Sequence, residues 1–152
     1  MKSIWIIPLL FVILTAKGQN NHINIQHNYG VDGYDLVSYF EGKAKKGSDK
    51  FRHIYEGVDY RFLSNTNLIK FKADPVKYLP QYGGWCAYAM ASKGEMIKIN
   101  PKTFELRDGK LYLFYDAYFN NTFEDWIEEG PEELVNRADG NWVKILTSSE
   151  SD

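Results

Sequence analysis

The stretch that most constrains the fold is residues 51–78, because strand, turn and helix signals follow one another there in a single order. A turn at Gly57 separates two runs of aromatic and β-branched residues that can pair as antiparallel strands. Ser64 or Asn65 can then cap a helix, and Asp74, which precedes a proline, ends it. The order predicts a β-hairpin followed directly by a helix.

Similar signals occur on both sides of this stretch. An Asp-Gly pair at 108–109, flanked by apolar runs at 104–106 and 111–115, predicts a second hairpin. Asp35 can cap a short helix over 36–40. With 152 residues and 44% apolar composition, the chain has enough apolar surface for one domain with a real core. The predicted fold class is α+β, a small antiparallel sheet built from two hairpins with short helices packed on it.

The beginning of the chain reads as an export signal. Residues 1–18 contain a lysine, an apolar run over 4–14 and small residues near the end, as a cleaved signal peptide does. An uncleaved anchor is the alternative, but the apolar run is shorter than the roughly 20 residues that span a bilayer. We therefore predict export to the periplasm or cell exterior, with no stable membrane span after cleavage. The predicted divisions are a signal (1–18), a disordered lead-in (19–28), one domain (29–145) and a tail (146–152).

Charge argues against nucleic acid binding, and cysteine content excludes a disulfide within the chain. Removal of the signal takes two lysines from the 18 basic residues, which leaves 16 basic against 20 acidic ones. Such a mildly acidic chain lacks the clustered positive charge that nucleic acid binding needs, and the cluster at 43–46 is read as a solvated loop. Cys86 is the only cysteine, so a disulfide within the chain is impossible.

Residues 51–78 resemble the YHS domain family, which is named for a tyrosine, a histidine and a serine. His53, Tyr60 and Ser64 match those three residues, and the sequence DPVKY ends the likeness as it does in the family. Further blocks resemble a subfamily of exported YHS-domain proteins, so the likeness covers roughly residues 29–142. The resemblance implies a YHS-like fold, export and a link to copper.

The metal-linked members of that family carry two cysteines where this chain has Leu63 and Asn67. The remaining soft donors predict a different site, with Cys86 and Met90 one helical turn apart and His53 as a third ligand. Copper is the metal that the resemblance implies. Two alternatives stay open: Cys86 as a small buried apolar residue beneath aromatic rings, or as a reactive or intermolecularly bridged thiol.

The high aromatic content offers a second kind of site. Four rings, Tyr82, Trp85, Tyr88 and Tyr60, could line a pocket for a small apolar or planar ligand. The alternative is that these rings simply fill the core. Spacings typical of a nucleophile, a phosphate loop or a zinc protease do not occur in the sequence, so no catalytic residue is predicted.

These observations predict an exported, non-catalytic, YHS-type protein that binds a ligand or a metal ion. The alternative is a protein–protein interaction or self-associating module, in which the aromatic surface and the Gly-Gly segment at 83–84 bind a partner or form a homodimer. A third interpretation, a small hydrolase or redox enzyme, requires an accessible Cys86 beside a base.

Overall fold

The computed structural model describes residues 22–148. The predicted signal peptide (1–18), the first residues of the predicted lead-in (19–21) and the end of the predicted tail (149–152) lie outside the described residues. Between 22 and 148, short hairpins and helices follow one another along the chain. No helix in this range is long and apolar enough to cross a membrane.

The strands form four antiparallel pairs: β1 (Ile25–Gln26) with β2 (Tyr29–Gly30), β3 (Ser48–Tyr55) with β4 (Val58–Phe62), β5 (Asn100–Arg107) with β6 (Lys110–Phe114), and β7 (Asp116–Ala117) with β8 (Asn120–Asn121). The helices are α1 (Leu36–Tyr39), α2 (Asn65–Ala73), α3 (Pro75–Tyr78), α4 (Ala87–Lys93), α5 (Thr122–Glu129) and α6 (Pro131–Ser148). Tight 3₁₀ turns occupy Val31–Gly33 and Gln81–Gly84.

The α+β class is confirmed, and both predicted hairpins form, as β3–β4 and β5–β6. The prediction that they build one sheet is wrong, because the described strands pair only two by two. The outer edge of β6 is covered by irregular backbone, with Pro80 bridged to Leu111 and Cys86 bridged to Leu113 in parallel pairs. Backbone groups at a strand edge need hydrogen-bond partners, and here the segment before α4 supplies them.

Three short helices begin after residues whose side chains accept hydrogen bonds from the first backbone N–H groups of the helix. Asp35 caps α1, and Ser64 caps α2 by accepting a 3.1 Å hydrogen bond from the Asn67 backbone N–H. Asp74 caps α3, with Pro75 at the first helical position, where proline needs no amide hydrogen. The helix starts at Asp35 and Ser64 are therefore confirmed.

The core consists of two clusters. The first lies between α1, the β3–β4 hairpin and α2, where the Phe71 ring packs against Phe62 and Tyr60 with centroids 5.0 and 5.3 Å away. The second lies between α4, β6, α5 and α6, where Trp126 packs against Tyr112 and Phe114 at 5.7 and 5.4 Å. Full burial of each such side chain stabilises the fold by about 1.5–3 kcal/mol.

The described part of the predicted lead-in packs onto the domain. Residues 22–28 include strand β1, and the Asn24 backbone N–H donates a 2.8 Å hydrogen bond to the Gly83 carbonyl. The Asn24 side chain is buried and donates to the Gly84 carbonyl at 2.9 Å. The domain thus starts before residue 29. Polar composition indicated an unstructured segment there, but the Asn24 backbone and side-chain N–H groups are bonded to backbone about 60 residues away.

Pro131 in the sequence predicts a helix start followed by a helix over 132–138, and the observed helix α6 is longer. It continues through Gly140 to Ser148 and packs along α4. Leu134, Ala138 and Trp142 recur every four residues and place one apolar stripe against the core. This packing outweighs the cost of about 1 kcal/mol for a glycine inside a helix.

Candidate functional site

The hairpin-to-helix junction, where the family resemblance places two thiols, is organised around Asp35. Its Oδ2 accepts hydrogen bonds from the Leu63 backbone N–H at 2.8 Å and from the Asn67 Nδ2 at 2.7 Å. Its Oδ1 accepts from the backbone N–H groups of Val37 and Ser38 at 2.8 and 3.3 Å. The buried carboxylate is therefore fully hydrogen-bonded by the protein itself. A soft metal ion does not fit at this junction, which offers no thiol and whose one carboxylate is already hydrogen-bonded.

The predicted third ligand, His53, lies on β3 directly opposite Tyr60 of β4. Its ring packs edge-on against Phe71, with centroids 6.3 Å apart. Within residues 22–148, no three side chains drawn from His, Cys, Asp and Glu come close enough to hold a metal ion. The position of His53 is that of a packed strand residue.

Cys86 is fully buried just before α4, and its sulfur makes two hydrogen bonds. The Tyr115 backbone N–H donates to Sγ at 3.3 Å. The Thr122 hydroxyl lies 3.3 Å from Sγ but donates its only proton to the Tyr115 carbonyl at 2.8 Å, so the thiol donates to Thr122. This hydrogen-bonded, enclosed thiol favours the alternative in which Cys86 acts as a small core residue.

Met90 follows Cys86 by one helical turn, and its backbone N–H donates to the Cys86 carbonyl at 3.0 Å. The side chains nevertheless belong to different core clusters, Cys86 to the first and Met90 to the second. A copper ion bound by both sulfurs would have to displace the proton that the Cys86 thiol donates to Thr122.

A cavity of about 400 Å³ lies where the amino-terminal segment, the turn Gln81–Gly84 and α6 meet. We call it the Tyr82 cavity. Most of its wall is apolar or aromatic, with a few polar groups, as is usual for sites that bind small molecules. It is lined by Ile23, Asn24, Gly30, Val31, Tyr60, Val76, Leu79, Pro80, Gln81, Tyr82, Gly83, Asp139, Trp142 and Val143.

Two of the four predicted pocket residues, Tyr60 and Tyr82, line this cavity together. Tyr88 lines a separate cavity of about 300 Å³ beside Cys86, and its hydroxyl donates to Glu129 at 2.6 Å. Trp85 has a structural contact instead, since its Nε1 donates to the His22 carbonyl at 2.8 Å and holds the amino-terminal segment.

The polar end of the Tyr82 cavity is a tyrosine–carboxylate pair. The Tyr82 hydroxyl donates to Asp139 Oδ1 at 2.9 Å. Burial raises the pKa of Tyr82, and the hydrogen bond to Asp139 raises it further. Burial also raises the pKa of Tyr60. Both hydroxyls are therefore neutral at neutral pH, and both residues line the cavity.

The backbone around the cavity is strained in two places. Val31 and Tyr82 have φ angles of 49° and 55°, in a region that residues with a side chain rarely occupy. Strain of this kind costs about 1–3 kcal/mol per residue and concentrates at functional sites. Gly83, with φ of 61°, allows the His22 carbonyl to approach so closely that a Cβ atom would lie 2.2 Å from it.

No model of a protein family matches the chain, and neither the curated proteins nor the solved structures contain a match. The YHS resemblance therefore remains a prediction from sequence blocks.

Sequence reasoning missed Asp139, Asn24 and Val31, and it read Trp142 only as a packing residue. Asp139, Trp142 and Val143 are spaced by three and four residues, which places them on one face of α6. That spacing was a usable signal once the helix was known to continue past residue 138. Asn24 and Val31 had no comparable signal, because long-range packing brings them to the cavity.

Proposed function

We propose that this protein is an exported, non-catalytic binding protein of the YHS type whose small ligand occupies the Tyr82 cavity. The observation that carries the proposal is the cavity itself. It has the size of a ligand site, a largely apolar wall, and a polar end formed by Tyr82 and Asp139. Export is proposed from residues 1–18 and the YHS type from the sequence blocks.

Two further features support a ligand at this place. The strained residues Val31 and Tyr82 both line the cavity, so the fold tolerates a cost there that core packing alone does not require. In addition, Asn24 Oδ1 is buried and has no hydrogen-bond partner within residues 22–148. Buried acceptors of this kind are rare in native proteins, and this one belongs to a residue that lines the cavity.

Titration with the neutral fluorescent probe 1-N-phenylnaphthylamine tests the proposal. We expect saturable fluorescence enhancement with the wild-type chain. Val143→Trp adds a large side chain at the rim of the cavity, at a position that is 57% exposed, and should weaken probe binding at least tenfold. Ile69→Trp, on an exposed position of α2 away from the cavity, is the matched control and should bind normally. Absence of saturable binding, or equal binding by both variants, would refute the proposal.

A second form of the proposal is that the protein binds a copper ion at Cys86. Only the family resemblance supports this form. Its test is Cu(I) titration of the reduced protein against Cys86→Ala. Uptake of one equivalent that the substitution abolishes would support a copper site at Cys86. Equal uptake by both proteins would refute a copper site at Cys86.

One observation favours the alternative of a protein–protein interaction module. Tyr118 and Phe119 form the tip of the β7–β8 hairpin, where Tyr118 is 91% exposed and Phe119 is fully exposed. Adjacent exposed rings are typical anchors of interfaces. The Gly-Gly segment does not contribute to such a surface, because Gly84 is buried and Gly83 packs against the His22 carbonyl. Sedimentation of wild type and Tyr118→Ser/Phe119→Ser would show whether the tip mediates self-association.

A further inference from the structure

The rings and the carboxylate of the Tyr82 cavity indicate the chemical class of its ligand. We propose that the cavity binds a small organic cation whose nitrogen carries methyl groups, such as a trimethylammonium compound. The inference rests on the proposed ligand-binding function and names its substrate class. It is carried by the arrangement of Tyr60, Tyr82, Trp142 and Asp139 around one cavity.

The aromatic rings form adjoining walls. The rings of Tyr82 and Trp142 are in edge-to-face contact, with centroids 6.4 Å apart and planes inclined at 70°. Tyr60 lines the same cavity. The face of an aromatic ring is electrically negative, and a cation within about 6 Å of the ring centroid is attracted to it. Several rings around one site are the arrangement that recognises quaternary ammonium groups in general.

The charge of the cavity has one sign. Asp139 is its one acidic lining residue, and no lysine or arginine lies among the residues that line it. Asp139 forms no ion pair with any residue between 22 and 148, and the Tyr82 hydroxyl holds its carboxylate at the cavity. Asp139 is exposed, so a cation that enters the cavity from solvent can reach its carboxylate. Phosphate and carboxylate ligands are disfavoured for the same reason.

The polarity of the wall selects a methylated cation over a primary amine. A primary ammonium group has three N–H donors that need acceptors. The wall offers few acceptors, because much of it consists of side chains such as Ile23, Val31, Leu79 and Val143. Methyl groups on the nitrogen have no such requirement and gain free energy from burial against this apolar surface.

Isothermal titration of the full chain with choline and with 3,3-dimethylbutan-1-ol tests the proposal, because the alcohol has the same shape and no charge. We expect choline to bind at least tenfold more tightly than the alcohol. Asp139→Asn should reduce choline affinity to that of the alcohol. Glu128→Gln, which removes an exposed carboxylate from α5, is the control of equal charge change and should leave choline affinity unaltered.

Tyr82→Phe provides a second variant, since it keeps the ring and removes the hydrogen bond to Asp139. We expect it to weaken choline binding less than Asp139→Asn does. Phosphatidylcholine vesicles, with phosphatidylglycerol vesicles as the control, distinguish a lipid headgroup from a free cation as the source of the trimethylammonium group. Equal affinity for choline and the alcohol would overturn the inference. If the neutral probe still binds in that case, the cavity remains a ligand site, whereas loss of probe binding as well would remove the proposed function.

Discussion

The Asn67 side-chain amide donates a 2.7 Å hydrogen bond to Oδ2 of Asp35, 32 residues earlier in the chain. This bond ties α2 to the start of α1 and occupies the place that the resemblance gives to a metal thiol. The junction is thus held by a carboxylate with four N–H donors from four residues. Hydrogen bonds to a charged group contribute about 1.5–3 kcal/mol each in buried settings.

We expect Asp35→Asn to lower the free energy of unfolding by about 3 kcal/mol or more. The new amide would direct N–H donors toward donors of Leu63 or Asn67, so at least one buried group would lose its partner. Urea denaturation measures the change. Asp108→Asn removes a carboxylate from an exposed hairpin turn with φ of 50°, which asparagine tolerates, and should alter stability by less than about 0.5 kcal/mol. Similar losses in the two variants would contradict the role of Asp35.

We expect Asn67→Asp to make stability depend on pH. Two carboxyl groups in hydrogen-bond contact cannot both ionise, so the pKa of one is raised in the folded protein above its unfolded value of about 4. A group with a raised folded pKa stabilises the fold below its unfolded pKa and loses that contribution as the pH rises. The variant should therefore be less stable than wild type at pH 7 and approach it near pH 4. Parallel pH profiles of the two proteins would argue against this.

The buried tyrosines predict a loss of stability in alkali. Burial is the main reason why the pKa values of Tyr39, Tyr60 and Tyr82 are raised. Their stabilising contribution is complete below the unfolded pKa of about 10. Above that pH it falls by about 1.4 kcal/mol per pH unit for each residue, because the tyrosines ionise first in the unfolded chain. Urea unfolding at pH 9, 10 and 11 should show this fall. Tyr82→Phe should reduce its slope, and an unchanged slope would show that Tyr82 ionises freely.

A methyl group at Gly83 should release the amino-terminal segment. Gly83→Ala places Cβ 2.2 Å from the His22 carbonyl oxygen in addition to imposing strain at φ of 61°. Gly109→Ala is the matched control, because its φ is 72° but its Cβ would meet open space. We expect the control to lose about 1 kcal/mol and Gly83→Ala about 2 kcal/mol more. Thermal denaturation measures both, and limited proteolysis near residue 22 should become faster only in Gly83→Ala.

The Cys86 thiol should be slow to react in the native protein. It is fully buried and bonded to Tyr115 and Thr122, so labelling by 5,5′-dithiobis(2-nitrobenzoic acid) requires an opening of the structure. We expect labelling at least a hundredfold slower than in 6 M guanidinium chloride. Rapid labelling without denaturant would restore the interpretation of Cys86 as a reactive thiol.

Local sequence signals predicted much of the fold. Turn and cap residues act on neighbours only a few positions away. The hairpins and helix starts could therefore be predicted from the turns at Gly57 and Gly109 and the caps Asp35 and Ser64. The separation of the two hairpins could not be predicted, because the edge of β6 is covered by a segment without a strand signal.

The candidate site was harder to predict for the same physical reason. Tyr82 and Asp139 are 57 residues apart, and only the packing of α6 brings them within hydrogen-bond distance. Asn24 and Gly84 are 60 residues apart and meet through the amino-terminal segment. Tyr60 and Tyr82, two of the predicted pocket residues, line one cavity, and that common cavity depends on contacts that no local pattern encodes.

The walls of the Tyr82 cavity come from both the amino-terminal segment and α6, the last helix within residues 22–148. The cavity therefore forms only once α6 has packed against the amino-terminal segment. Ligand capture must wait until both segments are folded, and a bound ligand would in turn hold the two segments together.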